Sequence, residues 1–204
     1  MAVTRRSTSA RPSDDQLLDA ACSVFAATGF RGASMEAIAE AADSTKPTLY
    51  AHFGSKESLH RRLLEREARR FTRSLLATYE RSVELSVREA VRVDMLAFFD
   101  YAATHPDGFR LLFDQSASVR EELEREITER VGQTIRALMS RRRDPAPQAS
   151  ADALAAMVVG IAVHGARHAL ATGSDLGRAG ELAASMAHAG LRGLDRALMD
   201  VLDA

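Results

Sequence analysis

The side chains best suited to molecular recognition lie in one short segment: Thr45, Lys46, Pro47, Thr48, Tyr50, His52 and, just beyond, Lys56. Hydroxyls, ammonium groups, a phenol and an imidazole donate hydrogen bonds, and a rigid pyrrolidine ring offers apolar contact. This set suits phosphates and base edges rather than bond breaking. Lys46 and Lys56 are the only lysines among 27 basic residues. In a chain that otherwise uses arginine, two lysines in one segment point to selection there. Ser34, ahead of the segment, adds a hydroxyl that can cap a helix and donate to a phosphate.

Other constellations offer less. His164 and His168 are four apart, as two zinc ligands on one helix face would be, but no third ligand or HExxH pattern accompanies them, so no metal is expected. The chain has no GxSxG elbow, phosphate-binding glycine loop or dinucleotide fingerprint, and its carboxylates are scattered. Neither enzymatic activity nor a cofactor is expected. The single cysteine, Cys22, excludes an intramolecular disulfide and fits a small buried side chain in a reducing, cytoplasmic setting. With 27 basic against 28 acidic residues, the formal charge of −1 excludes a histone-like, globally basic nucleic-acid binder. Arg5 and Arg6 are followed by no apolar run, so neither a signal peptide nor a membrane span is expected.

The elements that must position these groups read as all-α. Strand alternation is almost absent, and Gly and Pro separate Ala, Leu, Arg and Glu-rich stretches. After a flexible arm over residues 1–12, helical patterns are predicted over 13–28, with Gly29 after the end, then 35–42 capped by Ser34, and 46–53 capped by Thr45 with Pro47 in the first turn. Leu49 and Phe53, four apart, should pin the third helix to the first two. Three short helices with tight connections over residues 13–60 are a helix-turn-helix unit, whose last helix enters a DNA major groove. Further helical patterns cover 55–81, 86–104, 105–115, 118–143, 150–172 and 176–203.

The runs Gly29-Phe30-Arg31-Gly32-Ala33-Ser34-Met35-Glu36-Ala37-Ile38-Ala39-Glu40-Ala41-Ala42 and Thr45-Lys46-Pro47-Thr48-Leu49-Tyr50-Ala51-His52-Phe53-Gly54-Ser55-Lys56-Glu57-Ser58-Leu59 resemble the TetR family of bacterial one-component transcriptional regulators. The resemblance covers about residues 13–64. It implies a homodimeric repressor of double-stranded DNA, with an N-terminal DNA-binding unit and a helical C-terminal domain that binds a small molecule and releases DNA. It also implies phosphate contacts from Tyr50 and His52. Two positions depart from the family pattern: Asp43 stands where glycine is common, and Ser44 where a buried aliphatic residue is common. Asp43 tolerates a left-handed backbone, so the turn is expected to survive. These departures keep a second reading open, a helical small-molecule-binding protein with weak DNA binding.

Residues 61–204 are expected to sense and dimerise. Residues 83–204 hold 14 basic and 18 acidic residues, a poor DNA surface. Five of the eleven aromatic residues fall between Phe98 and Phe113. That clustering suggests an apolar effector held among Met95, Phe98, Phe99, Phe109, Phe113, Met157 and His164. The last two helices, rich in Ala, Gly and Met, supply the expected homodimer seam, with Gly160, Gly165, Ala166, Gly190 and Gly193 allowing close helix approach.

Overall fold

A computed structural model describes residues 12–82, 85–115, 117–140 and 148–193. The described residues are helical with turns and contain no strand. They form two compact units, one ending at Arg66 and the other beginning at Glu67, with the boundary inside a single helix. The predicted arm over 1–12 lies almost wholly outside the described residues, as does the predicted end of the last helix beyond residue 193.

The first unit contains α1 (Asp14–Gly32), α2 (Met35–Ala41), α3 (Lys46–Phe53) and the start of α4 (Lys56–Ser82). Ser13 opens α1 with a capping box: its hydroxyl accepts from the Gln16 N–H at 3.3 Å, while Gln16 Oε1 accepts from the Ser13 N–H at 2.9 Å. Gly29 was expected to follow the helix. Instead, its φ of 70° kinks α1, and one further turn runs on to Gly32. Leu17, Leu18, Ala21, Cys22 and Phe25 bury one face of α1. The unit's core also contains Met35, Ile38, Ala39, Leu49, Phe53, Leu59 and Leu63. Each large apolar side chain so buried contributes about 1.5–3 kcal/mol of transfer free energy.

The second unit contains the rest of α4, α5 (Val87–Thr104), α6 (Pro106–Arg110), a π-helical turn (Leu111–Gln115), α7 (Ala117–Ser140), α8 (Gln148–Thr172) and α9 (Leu176–Arg192). The stretch predicted as one helix over 105–115 is thus split into an α-helical and a π-helical part. Helix α5 packs on α8 and α9, and α7 packs on α8. The small residues act selectively at these contacts. A Cβ added at Gly180 would lie 3.1 Å from Phe99 Cβ and 3.2 Å from Leu96 Cδ2, and one at Gly165 would lie 3.1 Å from Phe99 Cζ. Those two glycines admit α5. Gly160 and Gly190 face open space, so they serve no helix approach within this unit. Among the described residues, Ser150–Thr172 is the one helix long and apolar enough, by length and composition alone, to cross a membrane. Its mean hydropathy is 1.4 and a third of its most apolar window is buried within the protein, a pattern that core helices also show.

Candidate nucleic-acid interface

The interface is built from two local caps and a buried stripe. Ser34 accepts from the Ala37 N–H at 3.1 Å and begins α2. After α2, Asp43 adopts φ 45°, the left-handed turn expected of it, and the Ser44 N–H donates to the Ala39 carbonyl at 2.9 Å. Thr45 then caps α3 by accepting from the Thr48 N–H at 3.3 Å, and its hydroxyl lies 2.8 Å from that of Thr48. Leu49 and Phe53 are buried, as their spacing predicted. This turns Thr45, Pro47 and Tyr50 outward as exposed residues, with Lys46 and Thr48 partly exposed beside them. Tyr50 is 46% exposed, which leaves its ring and hydroxyl available at the surface.

Polar partners subdivide the candidate residues. Lys46 ion-pairs with Glu36 of α2, and both side chains are largely solvent-exposed. His52 Nδ1 lies 2.6 Å from Asp14 Oδ1, in the first turn of α1, and its side chain is only 19% exposed. Arg62 of α4 closes that cluster, donating to the His52 carbonyl at 3.2 Å and to Asp14 Oδ2 at 3.4 Å while lying over the Phe53 ring. Lys56 turns inward. Its ammonium donates to the Phe30 and Ala33 carbonyls at 2.8 and 2.9 Å and sits 4.5 Å from the Phe30 ring centroid. Two of its three N–H donors therefore secure the end of α1.

Thr45, Lys46, Pro47, Thr48 and Tyr50 share the α3 surface, and the Lys46–Glu36 contact brings the start of α2, with Ser34, beside them. His52 and Lys56 are instead engaged with other parts of the unit. Sequence reasoning missed Asp14, Glu36 and Arg62. Their charges were visible, but Arg62 and His52 meet Asp14 across 48 and 38 positions, and Glu36 meets Lys46 across ten, so no helical spacing signals the pairing. Among the described residues no group of three potential metal ligands occurs, and His164 and His168 are exposed, with His164 Nδ1 3.2 Å from the Gly160 carbonyl.

The residues expected at an effector site divide by burial. Met95, Phe98, Phe99, Phe109 and Phe113 are buried, whereas Met157 and His164 are exposed on α8. Phe71, from α4, fills the centre of the aromatic group, with ring centroids 5.6 Å from Phe98, 5.0 Å from Tyr101 and 5.3 Å from Phe113 in edge-on arrangements. The rings form a packed core. A narrow crevice lies between α4 and α7, with a cavity volume of about 10 Å³, room for about one water molecule. Phe71, Leu75, Leu123 and Ile127 give it apolar walls, beside Tyr79 and Arg130. Burial, and then the negative charge of Asp94, push the Tyr79 phenol well above the ordinary tyrosine range.

Residues 17–63 match the family model described as bacterial regulatory proteins, tetR family. The transcriptional activator FasR of Mycolicibacterium smegmatis is 34% identical over 99 residues, covering 48% of this chain and 44% of the relative. The transcriptional repressor NicS of Pseudomonas putida is 32% identical over 125 residues, covering 61% and 55%. The matched regions thus span about half the length of these relatives. The crystal structure of a TetR-like transcriptional regulator from Rhodococcus sp. RHA1 superimposes with a TM-score of 0.74 at 28% identity, covering 89% of this chain and 96% of that one. The N-terminal helix-turn-helix unit is thus similar to that of the tetR family of bacterial regulatory proteins, and the likeness in fold to the Rhodococcus regulator extends over 89% of the chain.

Proposed function

We propose that this protein is a DNA-binding transcriptional regulator that binds a pseudo-palindromic operator as a homodimer and is released by a small, apolar effector, with repression as the outcome of binding. The observation that carries the reading is the α3 surface, where Thr45, Lys46, Pro47, Thr48 and Tyr50 stand outward while Leu49 and Phe53 anchor the opposite face. In a two-fold dimer, two such helices about 34–36 Å apart would meet successive major grooves. Ser34 and Tyr50 would contact phosphates, and the N-terminal residues of α3 would read base edges.

Dimerisation is supported by a face that one chain leaves uncovered. Met157 on α8 and Leu182 and Met186 on α9 are 64%, 64% and 56% exposed, and α8 and α9 pack against each other. Exposed apolar residues on two helices that pack against each other support an association surface, here read as a seam to a second copy. For the effector, the apolar crevice between α4 and α7 would have to open before it could admit more than a water molecule. A ligand there could act only by binding the DNA-free arrangement more tightly than the DNA-bound one. The two named relatives are an activator and a repressor, so a reporter carrying the operator decides the direction of control.

The primary test is a fluorescence-anisotropy titration against DNA from upstream of the protein's own gene and against shuffled DNA at two salt concentrations. Preferential binding to the native fragment, lost in Lys46→Ala and Tyr50→Ala, supports the reading. Equal, weak, salt-sensitive binding to both fragments that the substitutions leave unchanged overturns it.

A further inference from the structure

We propose that Arg31 is a phosphate-binding residue of the N-terminal unit, a sequence-independent contact set beside Ser34 at the edge of the α3 surface. This rests on the DNA-binding reading above. Residues 12–66 carry six lysines and arginines against eight carboxylates, so contact with a DNA backbone depends on which cations are free to neutralise a phosphate. Lys46 is paired with Glu36, Arg62 with Asp14, and Arg66 with Asp15 and Asp19. Each would have to leave its carboxylate to serve a phosphate, and the freed carboxylate would then repel the DNA backbone. Lys56 is held by two carbonyls, and Arg61 donates to the Ser58 hydroxyl at 3.4 Å. Arg31 is exposed, and among the described residues its guanidinium has no polar partner.

The local backbone explains how Arg31 is presented. Gly29, at φ 70°, kinks α1 and sets residues 30–32 apart as a last turn. Lys56 donates to the carbonyls of Phe30 and Ala33, on either side of Arg31, and Ala33 is buried. The Phe30 ring lies 6.0 Å from the Phe25 ring and 4.9 Å from that of His60. Both flanks of Arg31 are thus fixed while its own side chain stays in solvent, so little backbone freedom is left to lose on binding. Ser34 is three residues further on, a chain length of at most about 11 Å, and its hydroxyl opens α2 next to the Lys46–Glu36 contact. A guanidinium there can bind a phosphate through two parallel N–H donors, which gives the contact direction as well as charge.

The test compares wild type, Arg31→Ala, Arg31→Lys and Arg61→Ala on the upstream and shuffled duplexes by fluorescence anisotropy across a salt series. Thermal midpoints and circular dichroism verify that each variant is folded. Each neutralised phosphate steepens the slope of log affinity against log salt by about 0.9, a factor of about eight at 0.1 M salt. Arg31→Ala is expected to lose that increment and to bind both duplexes about fivefold to tenfold more weakly near 0.1 M salt, with the preference between them unchanged. Arg31→Lys should restore most of the slope, because the charge remains. Arg61→Ala should keep the wild-type slope. The proposal is overturned if Arg31→Ala leaves the shuffled-DNA slope unchanged or if Arg31→Lys loses as much as Arg31→Ala. It is overturned equally if Arg61→Ala loses as much, which would mark a diffuse field of charge, or if weakening is confined to the upstream duplex, which would assign Arg31 to base reading. If wild type shows no preference for the upstream duplex, the regulatory reading fails, whereas the Arg31 contact is still judged by the shuffled-DNA slope.

Discussion

The two lysines have opposite tasks although both lie in the segment that resembles a DNA-binding motif. Lys46 stands at the surface in a breakable ion pair, whereas Lys56 ties its ammonium to two carbonyls and an aromatic ring. Lys56→Met is expected to destabilise the N-terminal unit by about 1–3 kcal/mol, as lost hydrogen bonds to a charged group do. Lys46→Met should stay within about 0.5 kcal/mol of wild type. Urea unfolding of the two variants checks the contrast, and equal midpoints would remove the structural role assigned to Lys56. His60 is a second residue with a measurable signature, lying 4.8 Å from the Phe25 ring and 4.9 Å from the Phe30 ring. Burial, and then the charge of Lys56, lower its pKa from 6.5. The folded state thus favours neutral His60, and below pH 6.5 the unfolded state binds more protons. Its contribution to stability is present above pH 6.5 and is lost as the pH falls through the lowered folded value. The difference in urea midpoint between wild type and His60→Leu should therefore shrink on acidification from pH 7.5 to 5; a constant difference would refute it.

Among the elements, helix caps and helix contacts carry different amounts of information. Ser34 and Thr45 were recognisable as caps because the hydroxyl and the N–H it serves are three residues apart. The close approach of α5 to α9 was not recognisable, because Gly180 is one of several glycines in Ala-rich helices and only its neighbours distinguish it. Gly180→Ala should force Phe99 and Leu96 to shift and cost about 1–3 kcal/mol. The same change at Gly190, which meets open space, should leave this packing intact. Thermal unfolding of the two variants tests the asymmetry, and an unaffected Gly180→Ala protein would show that α5 and α9 have slack.

For the whole molecule, the proposed dimer is the feature on which operator binding depends. Leu182→Glu and Met157→Glu place charges where two apolar surfaces would meet, at sites already exposed in one chain. Both variants are expected to keep wild-type helix content, to elute as monomers in light-scattering chromatography, and to lose operator affinity by more than tenfold. A persistent dimer in both would move the seam away from α8 and α9. In the proposed dimer, a partner against the exposed side of Ser150–Thr172 would account for the apolar composition of that helix.

Residue order was enough to read the all-helical class, the caps that start α2 and α3, the buried Leu49 and Phe53 stripe and the exposed residues at the start of α3. Each follows from contacts between residues a few positions apart, where helical geometry is fixed at 3.6 residues per turn. Tertiary structure alone decided that His52 meets Asp14, that Lys56 secures α1, that Glu36 holds Lys46, and that the aromatic group is a core rather than a cavity. The aromatic group is the clearest case. Clustering along α5 and α6 left room for either outcome, and the space is taken by Phe71, which belongs to another helix. Which side chain fills a gap depends on how distant segments meet, and local periodicity carries no information about that.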